Sequence, residues 1–235
     1  MAFEVDANGI LQPLGVTVLR DSRFELLPGT RDYFEEIPGR HGEIDFGAEL
    51  KARVLEIHCA IEIAPADWPA KRREIASYLN PLLGTQTLTF ADEPGKVYHV
   101  RYAGKIDVTK YPYAREFTIP FRMCDPFITS ATQKELIGSG IAVNDGNIAT
   151  PFTLIIQGVV TNPSVTVAGY TMTYTGTIAA GSALVIDTEK MTAALDGANA
   201  LPNFNGVFPK LQPGSNTVTA ASGGTTIIRW YSRWI

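Results

Sequence analysis

With 235 residues, 45% of them hydrophobic and 19% charged, the chain has the apolar content of an ordinary globular protein rather than a disordered one. Its net charge of −4 and pI near 5.4 argue against a nucleic-acid binder, whose footprint is a basic stripe. No apolar run approaches the ~20 residues that cross a bilayer. The opening Met1-Ala2-Phe3-Glu4-Val5-Asp6 also lacks the basic and apolar regions of a signal peptide, so a soluble protein made in a reducing compartment is expected.

In chain order, a short strand is expected at residues 15–19, followed by a polar stretch from Arg20 to Gly47. Within it, Ile37-Pro38-Gly39-Arg40-His41-Gly42-Glu43-Ile44-Asp45-Phe46-Gly47 reads as an exposed, turn-rich loop. Gly reaches positive φ at little cost and Pro fixes φ, while Arg40, His41, Glu43 and Asp45 fill the intervening positions. A shaped polar loop leading into a sheet points to contact with a partner. Residues 55–63 then alternate, with Leu55, Ile57, Cys59, Ile61 and Ile63 opposite Glu56, His58, Ala60 and Glu62, which predicts a strand with one buried face. The single helix predicted next has Asp67 as N-cap, Pro69 in its first turn and Trp68, Arg72, Ile75 and Leu79 at helical spacing; Asn80-Pro81 ends it. Strands follow at residues 86–90, 97–103, 105–108 and 115–123, the first two joined by the turn Asp92-Glu93-Pro94-Gly95. Cys59 and Cys124, both in or beside strands, are expected to be buried thiols rather than a disulfide.

Charge divides the chain. Residues 1–130 hold 34 of the 44 charged side chains, and the remainder is rich in Thr, Ala, Gly, Val and Ile. Two domains are expected, 1–130 and 131–235, with the junction between Asp125-Pro126 and Gly138-Ser139-Gly140. The second half predicts strands at residues 152–157, 164–167, 171–178, 183–187, 191–195, 217–220 and 225–234, separated by turn signals. That pattern is a β-sandwich.

No catalytic constellation emerges. His41, His58 and His99 are the only histidines and share no ligand-like spacing, and no Gly-x-Ser-x-Gly, phosphate-binding loop or dinucleotide fingerprint occurs. No cofactor or metal is expected. Glu56 and Glu62 share a strand face about 20 Å apart at ~3.3 Å per residue, too far for a glycosidase pair separated by about 5–9.5 Å. In the final Arg229-Trp230-Tyr231-Ser232-Arg233-Trp234-Ile235, alternation puts Ile228, Trp230, Ser232 and Trp234 on one face, which reads as core before it reads as a sugar platform.

Taken in order, several segments resemble the distal tail protein (Dit) family of long-tailed, non-contractile phages, over essentially the whole chain. In the first half these are the segment from Ile37 to Gly47, the strand and helix after it, and Phe117-Thr118-Ile119-Pro120-Phe121-Arg122-Met123-Cys124-Asp125-Pro126-Phe127. In the second half they are Phe152-Thr153-Leu154-Ile155-Ile156-Gln157-Gly158, Asn162-Pro163, Leu184-Val185-Ile186-Asp187-Thr188, Phe208-Pro209-Lys210-Leu211-Gln212-Pro213-Gly214-Ser215-Asn216 and the basic-aromatic end. The resemblance implies a mainly β protein: an N-terminal β domain with one α-helix and an extended arm, and a C-terminal galectin-like β-sandwich. It implies a non-enzymatic virion protein of the distal tail and baseplate, assembled in the host cytoplasm. Six copies would form a ring between the tail-tube protein and a tail-associated lysin or fibre protein, with DNA only passing through and no membrane contact. The arm that would join the subunits is expected to include Arg31, Pro38, Gly39, Arg40, His41, Gly42, Glu43 and Phe46. The competing expectations are a saccharide-binding module using the C-terminal sandwich, which has no histidine and few charges to orient sugar hydroxyls, and a cell-wall hydrolase, which the missing constellation disfavours.

Overall fold

The structure, a computed structural model, describes residues 2–220 and 223–235. The chain is mainly β with one α-helix among these residues, and it divides into two compact units, the first running to Ile128 and the second spanning Thr129–Trp234. No described helix is long and apolar enough to cross a membrane.

The first unit contains β1 (Ala2–Val5), β2 (Ile10–Gln12), β3 (Val16–Val18), β4 (Arg23–Phe24), β5 (Thr30–Glu36), β6 (Glu43–Leu50), β7 (Arg53–Glu62), α1 (Trp68–Tyr78), β8 (Gln86–Phe90), β9 (Lys96–Tyr102), β10 (Val108–Lys110) and β11 (Ala114–Met123). Strand order runs β10-β11-β7-β3-β2-β1-β8-β9, and β9 returns to β11 through Phe121↔Tyr102 and Arg122↔Arg101. The sheet therefore closes into a barrel of seven strands, with β10 and β4 as outside additions on β11 and β7. All pairings are antiparallel except β1 with β8. Closure leaves no free edge around the barrel wall.

The longest ladder pairs β7 with β11 from Arg53↔Met123 to Glu62↔Ala114. Leu55, Ile57 and Cys59 point inward from β7, facing Phe117, Ile119 and Phe121 from β11. Phe3 on β1 completes the packing, its ring 5.5 Å from that of Phe121. Ile61 and Ile63, predicted inward with them, are only half-buried, because the alternating face runs out at the barrel rim.

α1 buries Trp68 and Ile75, with Leu79 just beyond its end, whereas Arg72 is exposed. Asp67 occupies the N-cap position but makes no side-chain cap bond. Its φ of −87° and ψ of −18° are helical rather than extended, and Pro69 removes one of the N–H groups that a cap would bind. Trp68 is held instead by Arg115, whose guanidinium lies 5.8 Å from the indole centroid and whose Nη1 donates to the Ala114 carbonyl at 2.6 Å.

Three further expectations need correction. The strand predicted at residues 105–108 begins only at Val108, since Lys105 and Asp107 pair with each other at 2.7 Å in the preceding turn. Residues 171–178 form two strands, Tyr170–Tyr174 and Thr177–Ile178, broken where Gly176 adopts φ +147° and donates its N–H to Asn162 Oδ1. Cys124 is exposed, while Cys59 alone is buried; both thiols are free. Cys124 follows the last residue of β11, where the chain leaves the ladder.

The second unit has two large antiparallel sheets, beside a two-stranded one that pairs Val160–Thr161 with Thr177–Ile178. One large sheet runs Lys134–Ile137, Thr225–Trp230, Phe152–Gln157, Ala183–Asp187, Thr192–Leu195, Ala198–Asn199; the other runs Gly140–Asn144, Gly214–Ala220, Ser164–Val167, Tyr170–Tyr174, Phe204–Asn205. Leu154, Ile186 and Ile228 from the first share one core with Val165, Met172 and Val218 from the second, making a β-sandwich. The strand predicted over residues 225–234 ends at Trp230 and resumes only as the short strand Arg233–Trp234; between them Ser232 is buried, its N–H on Ser130 Oγ at 3.1 Å.

Burial pushes the Cys59 thiol up to about 12. At about pH 8 a thiol reagent should label Cys124 and leave Cys59 untouched until the protein unfolds, since the thiolate is the reactive form; mass spectrometry with and without denaturant reads this directly. Ile57→Ala should lower unfolding free energy by about 2–5 kcal/mol in urea titration, whereas Glu56→Ala, exposed on the same strand, should change it by no more than about 0.5 kcal/mol.

Candidate functional site

The segment expected to be a loop is largely a hairpin. β5 and β6 pair as Thr30↔Leu50, Arg31↔Glu49 and Asp32↔Ala48, then as Phe34↔Asp45, Glu35↔Ile44 and Glu36↔Glu43. Between the two blocks, Phe46 and Gly47 lie opposite the single Tyr33, forming a β-bulge in which Gly47 takes φ +95°. Only residues 37–42 form the turn, with Gly39 and Gly42 at φ +85° and +81°. Glu43 to Gly47 is strand, a correction whose cause is that neither side of the hairpin is buried, so no alternation marks it in sequence.

Every residue of β5 is exposed, and in β6 only Ile44 and Leu50 are even half-buried. Phe34 is 56% exposed and Phe46 64%. Leu26 and Leu27, just before the hairpin, are exposed as well. An isolated two-stranded hairpin is marginal in water, and clustered exposed aromatics mark contact surfaces.

The expected site residues spread over this hairpin rather than forming one patch. Arg31 lies at its base, with its Nη1 3.7 Å from the Glu49 carboxylate, which also accepts the Tyr33 hydroxyl at 2.9 Å. Pro38, Gly39, Arg40, His41 and Gly42 make the tip, where the Arg40 N–H donates to the Ile37 carbonyl at 3.1 Å. Glu43 lies on β6 directly across from Glu36. Phe46 belongs to the bulge and, by alternation, to the opposite side from Glu43. Sequence reasoning missed Tyr33, Phe34 and Glu36; the adjacent aromatics inside a polar stretch were the available signal.

Cross-strand pairing gives the distal half two different faces. Phe34, Glu36, Glu43 and Asp45 share one, while Glu35 and Ile44 share the other. Residues 30–50 carry Asp32, Glu35, Glu36, Glu43, Asp45 and Glu49 against Arg31 and Arg40. The hairpin's balance of −4 equals that of the whole chain, so the remaining residues are charge-neutral.

Elsewhere, polar groups are used internally. His58 Nδ1 lies 2.6 Å from Asp21 Oδ2. No group of three potential metal ligands occurs among the described residues. In the sandwich, Asn144 Nδ2 donates to the Ile148 carbonyl at 2.8 Å and Asn216 Nδ2 to that of Gln212 at 2.8 Å, both amides being buried braces of loops.

Residues 11–123 match the phage tail protein RIFT-related domain family, and residues 145–234 match the siphovirus-type tail component, C-terminal domain family. No curated protein matches the sequence. Among solved structures, the Dit protein of phage SPP1, described as a paradigm of the hub adsorption apparatus in phages infecting Gram-positive bacteria, aligns over 94% of this chain and 94% of its own, at 18% identity and a TM-score of 0.75. Two structures of the phage P2 baseplate in its activated conformation, with calcium and with strontium, align at 8% and 11% identity with TM-scores of 0.36 and 0.37. They cover 92% and 88% of this chain and 90% of each matched chain. Two tail-component families matched in succession, and a Dit fold spanning both, make this chain a member of the siphophage distal tail protein family, a structural component of the phage tail hub.

Proposed function

We propose that this chain forms a hexameric ring at the distal end of the tail, joining the tail-tube protein to a tail-associated lysin or fibre protein, and that its role there is structural and not catalytic. The β5–β6 hairpin is the subunit-contact arm. Assembly takes place in the host cytoplasm before the virion is complete.

The observation that carries this reading is a hairpin solvated on both faces in an otherwise well-buried unit. A ring needs heterologous contacts, in which one surface of each subunit meets a different surface of the next. The closed barrel has no wall edge to offer, so the hairpin supplies unpaired backbone edges and exposed aromatics for that purpose. The N-terminal barrel would form the ring wall.

Native mass spectrometry of the purified full chain should give a six-subunit mass. Deleting residues 31–46 should abolish it while the second unit keeps its own melting transition. A deletion variant that still forms rings would place the subunit contact elsewhere. A wild-type chain that stays monomeric even with the tail-tube protein present would overturn the ring.

A further inference from the structure

The first unit also holds a groove of about 510 Å³ between α1 and residues 102–108. Trp68, Ile75, Leu79 and Phe117 line its apolar part, and Arg72 and Lys105 are its charged residues. No carboxylate lines it, and none of its lining belongs to the hairpin of the same chain. Among the described residues Lys105 pairs only with Asp107, both side chains being 80% exposed or more, an arrangement worth little in water. Arg72 is exposed and, among the described residues, makes no ion pair.

The acidic face of the hairpin is the complement of this groove. Phe34 is an exposed ring flanked by Glu36, Glu43 and Asp45. Glu36 and Glu43 lie directly opposite each other with no cationic partner among the described residues, and like charges in that relation repel. An apolar cavity of about 150 Å³ already holds a benzene ring, so the groove has space for Phe34 and part of its strand.

We infer that the groove beside α1 receives the hairpin of a second copy of this chain, with Phe34 against Trp68 and Ile75 and the Glu36–Glu43 pair facing Arg72 and Lys105. This rests on the hairpin being the subunit-contact arm, and it names the surface that arm meets. Apolar contact supplies the affinity; the charges set which face of the hairpin turns inward and steer the encounter. Bringing cations to Glu36 and Glu43 removes the repulsion that the free hairpin carries.

Charge exchange in the full chain tests the assignment. Arg72→Glu alone, and Glu36→Arg with Glu43→Arg, should each raise the concentration for half-assembly by about tenfold or more, read by native mass spectrometry and light scattering. Combining all three substitutions should restore assembly toward wild type. Assembly of the wild type should also weaken between about 0.1 M and 1 M salt, as screening shortens the range of these charges. In a Cys124→Ser background, Phe34→Cys with Ala76→Cys should give intermolecular disulfides under mild oxidation. That pair carries the test if Arg72→Glu does not fold. Should Arg72→Glu assemble like wild type while the residue 31–46 deletion does not, the groove assignment fails and the arm stands. The same holds if Arg72→Glu leaves the ring intact and abolishes binding of tail-tube protein, which would give the groove to that partner. A wild type that stays monomeric even with the tail-tube protein present overturns both.

Discussion

The first unit depends on β11 pairing along one side with β7 and, near its end, with β9. The β7–β11 ladder alone would leave a curled ribbon with two open edges. The short β9 contact, Phe121↔Tyr102 and Arg122↔Arg101, converts that ribbon into a closed wall and seals Phe3, Leu55, Ile57 and Phe121 inside. The same β7 anchors the roots of the hairpin. β4 pairs with β7 just before the hairpin, and β7 begins three residues after it. A solvated two-stranded element thus starts and ends beside β7, a strand of the longest ladder in the barrel.

The second unit solves a different problem. Its loops are braced by buried side-chain amides and hydroxyls: Asn144 and Asn216 bind loop carbonyls, and the Thr188 hydroxyl donates to the Phe152 carbonyl at 2.9 Å. Thr150 Oγ1 likewise donates to the Tyr231 carbonyl at 2.6 Å. A buried amide that satisfies three or four groups rigidifies a turn without any charge. This accounts for a sandwich with few ionised residues, and for asparagines that sit beside turn-formers.

The elements that could be read in the sequence are those whose burial is one-sided. Phe152–Gln157 and Ala183–Asp187 bury alternate residues against a core, and their bounds could be read from the turn signals that flank their apolar runs. The helix announced itself through Trp68, Ile75 and the Asn80-Pro81 stop. What stayed hidden has no local signal. β1 and β2 are only four and three residues long, too short for periodicity to register, and β1 pairs in parallel with a strand more than eighty residues away. Barrel closure is likewise a non-local bond between strand ends. The hairpin was visible as a polar, glycine-marked segment, but its strand character was not, since an element exposed on both sides has no reason to alternate. Family resemblance carried what periodicity could not, because it rests on the order of many weak segments.

The bulge at Tyr33 decides which side chains share each face of the hairpin. Below it, Asp32 faces Ala48; had the count stayed even, Phe34 would face Phe46, and Glu36 would face Ile44. That face would be a greasy stripe, prone to stick to any apolar surface. One additional residue in β6 instead brings Asp45 and Glu43 round to Phe34 and sends Ile44 to the other side. A single-codon insertion or deletion at this point would therefore rewrite the exposed face of the hairpin in one step while leaving the barrel sequence unchanged.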